Sequence, residues 1–131
     1  LTDAERGLIV ALDESAEIFG EVGNGGLSQY FFNSTANRRP QHVAALKAIG
    51  FEAGAAALEE AARLIHPKGA SLDRDERIAQ YAALSNRTEK RLDELSRLFW
   101  TPAPRLRFML RHKELFARIR TARRAADLPA E

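Results

Sequence analysis

The stretch EVGNGGLSQYFFNS, residues 21–34, gathers three glycines, four amide or carboxyl side chains and three aromatic rings within one short span. Three chemistries compete for it. The first is a phosphate-cradling loop, in which backbone N–H groups hold an anion. Gly23 and Gly25 are two apart, but position 28 is serine, so G-x-G-x-x-G fails. The glycines also follow a helical pattern instead of a strand, and no Gly-Lys-Ser/Thr closes the motif. The second is a small-molecule-binding or hydrolytic site lined by Glu21, Asn24, Gln29 and Asn33. The third is an elbow between helices. Gly25 and Gly26 permit a sharp, close junction, and Leu27, Tyr30 and Phe31 fall at i, i+3 and i+4, an apolar face for a core. Gln29 and Asn33 share another face. The sequence favours the elbow, with Glu21, Asn24, Gln29 and Asn33 as a hydrogen-bonded cluster that pins its angle, because buried polar groups take partners.

Other chemistry-bearing residues carry weaker patterns. His42, His66 and His112 stand far apart, without H-E-x-x-H and without a partner at ligand spacing, so no metal site and no cofactor is expected. Asp73-Arg-Asp-Glu76 reads as a helix start, where acidic residues meet the positive end of the helix dipole. No serine lies in a nucleophile elbow of the G-x-S-x-G kind, and catalysis is not expected. Asp13, Glu17 and Glu21 follow one another at i+4 with Glu14 beside them, about 6 Å apart along a helix axis. That spacing is comparable to every second phosphate of a nucleic-acid strand, and defines a candidate acidic interaction strip. Arg118, Arg120, Arg123 and Arg124 define a candidate basic face.

These two features belong to an uneven charge distribution. With 20 basic and 18 acidic side chains the net charge is only +2. Residues 1–32 nevertheless carry Arg6 against Asp3, Glu5, Asp13, Glu14, Glu17 and Glu21. Residues 105–131 carry eight basic side chains against Glu114, Asp127 and Glu131. The acidic head and basic tail either pack together or form two surfaces of opposite sign, and the excess of arginine points to separate surfaces.

Helices must position all of this. Thr2 and Glu5 have capping-box spacing, predicting a helix to about Val22 with Leu8, Leu12, Ala16 and Phe19 inward and Gly23 as its stop. Pro40 suits a first helical turn, with Val43, Leu46 and Ile49 following and Gly50-Phe51 as the exit. The alanine-rich segment Glu52–Ile65 is the next helix. Asp73 opens one with Ile78, Tyr81 and Leu84. Leu92, Leu95 and Phe99 mark another, up to Pro102 and Pro104. The last, about Arg105 to Ala126, stacks Leu106, Met109, Leu110, Phe116 and Ile119. Trp100 and Phe108 are expected in the core. No alternating strand pattern is visible, so the chain is expected to be a single all-α domain, 1–131, of six or seven helices. Absent cysteine fits a reducing cytoplasm, the expected location, and the longest apolar runs, such as Leu8 to Leu12, are too short for a bilayer.

The element Glu21-x-x-Asn24-Gly25-Gly26-x-x-Gln29-Tyr30-Phe31-x-Asn33-Ser34 resembles the signature of the DNA mimic protein 19 family of small helical bacterial proteins. The similarity continues through Pro40, Leu46–Gly50, Arg91–Leu95 and Phe99-Trp100, covering about positions 2–110. It implies an all-helical protein and a possible homodimer. The family's best-described member is strongly acidic, imitates DNA charge and sequesters a helix-turn-helix repressor. A near-balanced charge removes whole-molecule mimicry from this chain. The resulting expectation is a non-enzymatic module that binds an as yet unknown protein partner, regulating a DNA-binding protein or neutralising a toxin. A weak nucleic-acid binder acting through the C-terminal arginines is the alternative, and the polar elbow as a ligand site comes third.

Overall fold

In the computed structural model of the chain, residues 1–69, 71 and 73–127 are described, Ser34 and Thr35 by their backbone alone. Glu131, counted above in the basic tail, lies outside the described residues. Among them run seven α-helices: α1 (Asp3–Phe32), α2 (Arg39–Ala48), α3 (Glu52–Ile65), α4 (Arg74–Ala82), α5 (Asn86–Ser96), α6 (Ala103–Arg111) and α7 (Lys113–Asp127). Short 3-10 turns occupy Ser34–Arg38 and Arg97–Phe99, and no strand is present among the described residues. The fold is all-α, as the sequence predicts.

Local chemistry accounts for most of the boundaries. The capping box at the start of α1 is formed in both directions. Glu5 N–H donates to Thr2 Oγ1 at 3.1 Å, and Thr2 N–H donates to Glu5 Oε1 at 3.0 Å. Pro40 stands in the first turn of α2. Gly50, at φ 83°, ends that helix in the left-handed conformation glycine tolerates, and Phe51 N–H closes back on the Leu46 carbonyl at 2.8 Å. Asp73 caps α4 by accepting from Asp75 N–H, and Ser85 caps α5 by accepting from Thr88 N–H.

The core lies between α1, α2, α3 and α5. Ile18, Val22, Leu27 and Tyr30 of α1 meet Leu46 of α2 and Ile49 just beyond it, Leu58 and Ile65 of α3, and Leu92 and Leu95 of α5. The small side chains of Ala55, Ala57, Ala61 and Ala62 let α3 approach its neighbours closely, and all four are buried. Phe19, Phe51 and Phe99 form a triangle of rings with centroids 5.3–5.8 Å apart, joining α1 to the α2–α3 junction and to the end of α5. Tilted and edge-on contacts of this kind suit the ring quadrupoles.

Four sequence expectations are corrected. The inward stripe of α1 is Ala11, Ser15, Ile18 and Val22, with Leu8, Leu12 and Phe19 half-buried beside it, while Ala16 faces solvent. On α4 the buried residue is Arg77 and Ile78 points outward. The predicted final helix is two helices. It bends at His112, which leaves helical dihedrals at φ −115° and ψ 30°, with its ring 4.9 Å from that of Phe108. The bend turns α7 back toward α1, burying Phe108 and Leu115 but leaving Leu106 and Leu110 exposed. Trp100, expected in the core, is also exposed, with the Arg97 guanidinium over its ring.

Candidate functional site

The elbow sits inside α1. Gly23 remains helical, which corrects the predicted stop at Val22–Gly23. Non-helical dihedrals occur instead at Gly25 (φ −150°, ψ 16°) and Gly26 (φ 75°, ψ −174°). The second pair of angles lies in a region that is essentially restricted to glycine. A kink frees backbone groups, and Leu27 N–H is recaptured by Ser96 Oγ of α5 at 3.0 Å, while that hydroxyl donates to the Leu92 carbonyl at 2.7 Å. Beyond the kink, Leu27, Tyr30 and Phe31 are buried, as their spacing requires. Glu21 Oε2 accepts from Gln29 Nε2 at 3.1 Å and from Asn33 Nδ2 at 2.9 Å, so a carboxylate from before the kink clamps two amides from after it. Asn24 does not join. It precedes the kink, on the same helical segment as Glu21, and is exposed. The Glu21, Gln29 and Asn33 groups thus bond to one another. Behind them the buried Arg77 donates to the Asn33 carbonyl and to Asn37 Oδ1, and Tyr81 Oη is hydrogen-bonded to Ser28 Oγ at 2.8 Å.

The acidic strip has internal partners. Arg38, in the 3-10 turn after α1, bridges Glu14 and Glu17. His42 of α2 is fully buried, with Nε2 2.9 Å from Glu17 Oε2 and 3.3 Å from Glu14 Oε2. Its Nδ1 is 2.6 Å from Tyr30 Oη. A carboxylate only accepts, so Nε2 carries the hydrogen, and in the neutral ring Nδ1 then accepts from the tyrosine hydroxyl. Burial pushes the Tyr30 ionisation upward, which keeps that hydroxyl a donor. Of the strip, Asp13 alone makes no polar side-chain bond among the described residues, and it is exposed. The sequence offers His42 no partner at ligand spacing. The Glu14/Glu17 pairing with His42 depends on how α2 crosses α1, which no local spacing encodes.

The basic tail meets the acidic head at Glu5 and Ser15, while Glu14, Glu17 and Glu21 of the strip are bonded to other groups. Arg118 bonds Glu5. The Glu5 carboxyl is held below its usual ionisation range by the Thr2 backbone N–H first and by Arg118 second. Arg105 donates to Ser15 Oγ at 3.2 Å and to the Leu12 carbonyl. Between α1 and α7 runs a groove with Ile9, Leu12, Phe116 and Ile119 as its apolar floor. Arg120, Arg123 and Arg124 line it, with Asp13 and Asp127. None of those three arginines makes an ion pair among the described residues.

The family described as DMP19-like protein matches residues 15–122. The chain belongs to that family. Among curated proteins and among solved structures, none matches it. The DMP19-like match covers the kink, its Glu21–Gln29–Asn33 clamp and the His42 cluster from Ser15 onward, with Glu14 one residue before it. The groove straddles both edges of the match. Ile9, Leu12 and Asp13 precede it, and Arg123, Arg124 and Asp127 follow it. No helix among the described residues is long and apolar enough to cross a membrane.

Proposed function

We propose that this DMP19-like protein is a non-enzymatic interaction module that docks an acidic, amphipathic segment of a partner protein in the α1–α7 groove. The observation that carries the reading is the combination of an apolar floor, Ile9, Leu12, Phe116 and Ile119, with three arginines beside it that make no ion pair among the described residues. An amphipathic helix laid in such a groove places apolar side chains downward and carboxylates outward. Arginine and aromatic residues are enriched where proteins bind one another. A nucleic-acid strand offers phosphates to the arginines but makes little use of the apolar floor. The acidic strip is a poorer docking surface, since Glu14 and Glu17 already face Arg38 and His42. Regulation of a DNA-binding protein and neutralisation of a toxin both belong to this class of function.

Affinity capture from a native lysate, at low and moderate salt, with and without nuclease treatment, tests the proposal. Wild-type protein is expected to retain one protein at stoichiometric level. The Arg120→Glu/Arg123→Glu/Arg124→Glu variant is expected to lose it, and Glu14→Gln/Glu17→Gln to keep it. Recovery of nucleic acid alone would favour the arginine-tail alternative. A metabolite retained by wild type and by the reversal variant alike would favour a ligand site at the elbow.

A further inference from the structure

We propose that Glu14, Glu17 and His42 form a site for a divalent transition-metal ion, zinc in the first instance, which exchanges with the Arg38 guanidinium. The inference is independent of the α1–α7 groove and runs against the expectation from sequence that no metal is bound.

Three donors around a tetrahedral zinc, with bonds of about 2.0–2.1 Å, stand roughly 3.3–3.4 Å from one another. His42 Nε2 is 3.3 Å from Glu14 Oε2 and 2.9 Å from Glu17 Oε2, and one donor atom from each of the three residues lies within 4.8 Å of the others. The ring is held for this purpose. His42 is fully buried, and its other nitrogen is fixed by Tyr30 Oη at 2.6 Å, the kind of outer contact that orients a ligating imidazole. A second observation points the same way. Glu14 Oε2, the oxygen nearest Nε2 on that residue, is buried and makes no hydrogen bond, an arrangement folded proteins seldom leave in place. Arg38 does not relieve it, since it reaches Glu14 through Oε1.

Arg38 is half-exposed and approaches from the solvent side, so it can swing clear and leave a path to the three donors. A divalent ion then balances the two carboxylates. The imidazole proton moves from Nε2 to Nδ1, and the Tyr30 hydroxyl turns from donor to acceptor. One nitrogen among oxygen donors suits zinc and its transition-metal neighbours better than magnesium or calcium. Three protein ligands leave a fourth position open to water.

Isothermal titration of the chelator-treated full chain with zinc chloride, and separately with magnesium chloride, tests the site. The expected result is one zinc per chain and no magnesium response. Glu14→Gln and Glu17→Gln should each weaken zinc binding at least about tenfold, and Tyr30→Phe by about tenfold through the lost outer contact. Arg38→Ala should tighten it, because the competing cation is gone; misfolding cannot mimic a gain. Cobalt should give the intense visible absorption of a four-coordinate ion in wild type and lose it in Glu14→Gln. Absence of zinc binding in both wild type and Arg38→Ala overturns the proposal. So does zinc binding that Glu14→Gln and Glu17→Gln leave unchanged.

Discussion

Gly26→Ala and Gly23→Ala, three residues apart in one helix, should change stability in opposite directions. At Gly26 an alanine must adopt φ 75° and ψ −174°, at a cost of about 1–3 kcal/mol. Its Cβ would stand 3.3 Å from Ser96 Oγ. If Ser96 yields, the buried Leu27 N–H loses its acceptor, adding about 1–3 kcal/mol. The combined loss is roughly 2–6 kcal/mol. At Gly23 the backbone is helical and a Cβ meets nothing within 4 Å, so alanine should stabilise by about 0.5–1 kcal/mol. Urea unfolding followed by circular dichroism reads both. With a slope of about 2 kcal/mol/M, Gly26→Ala should lower the midpoint by roughly 1–3 M and Gly23→Ala should raise it slightly. Equal midpoints, or a larger loss at Gly23, would refute the placement of the kink and the role of Ser96 in holding it.

Gln29→Ala and Asn33→Ala should each cost about 1–3 kcal/mol by chemical denaturation, since each removes a donor from Glu21 Oε2, whereas the exposed Asn24→Ala should stay within about 0.5 kcal/mol. Burial holds His66 below its ordinary ionisation range, so the unfolded chain binds the extra proton. Stability should therefore be flat above pH 6.5 on this account and fall as pH drops below it, and His66→Gln should remove that slope. The Glu5 carboxyl is depressed, so its contribution is present above the unfolded value of 4.5 and is lost as pH falls through the lower folded value; Glu5→Gln should erase that part of the acid transition in a pH-resolved melt.

Much of the fold was legible because its signals are local. The Thr2–Glu5 box, Pro40, Gly50-Phe51 and the alanine run Glu52–Ile65 each mark an element with residues inside that element or beside it. The misread positions depend on distant partners. Gly23 and Gly26 look alike in sequence, and the helix breaks at the second because Ser96, 69 residues from Leu27, waits to take the freed N–H. Arg77 is buried ahead of Ile78 because the Asn33 carbonyl and Asn37 amide lie across from it. The His112 bend has no glycine or proline to announce it, so Leu106 and Leu110 passed for core. The site was half legible. Glu21, Gln29 and Asn33 follow from spacing on one helix, but the joining of Glu14 and Glu17 to His42, and of the acidic head to the basic tail, are tertiary facts. A balanced net charge concealed which charges remain unpaired once the chain has folded.

The proposed docking groove is tested most directly by photocrosslinking from Ala117, an exposed position on α7 that precedes Arg120 and Arg124 by three and seven residues. A photoreactive amino acid at position 117, irradiated in nuclease-treated lysate, should yield one discrete protein adduct. That adduct should vanish in the Arg120→Glu/Arg123→Glu/Arg124→Glu background and persist with Glu14→Gln/Glu17→Gln. A protein adduct indifferent to the arginine reversal, or crosslinking to nucleic acid alone when nuclease is omitted, would contradict the account.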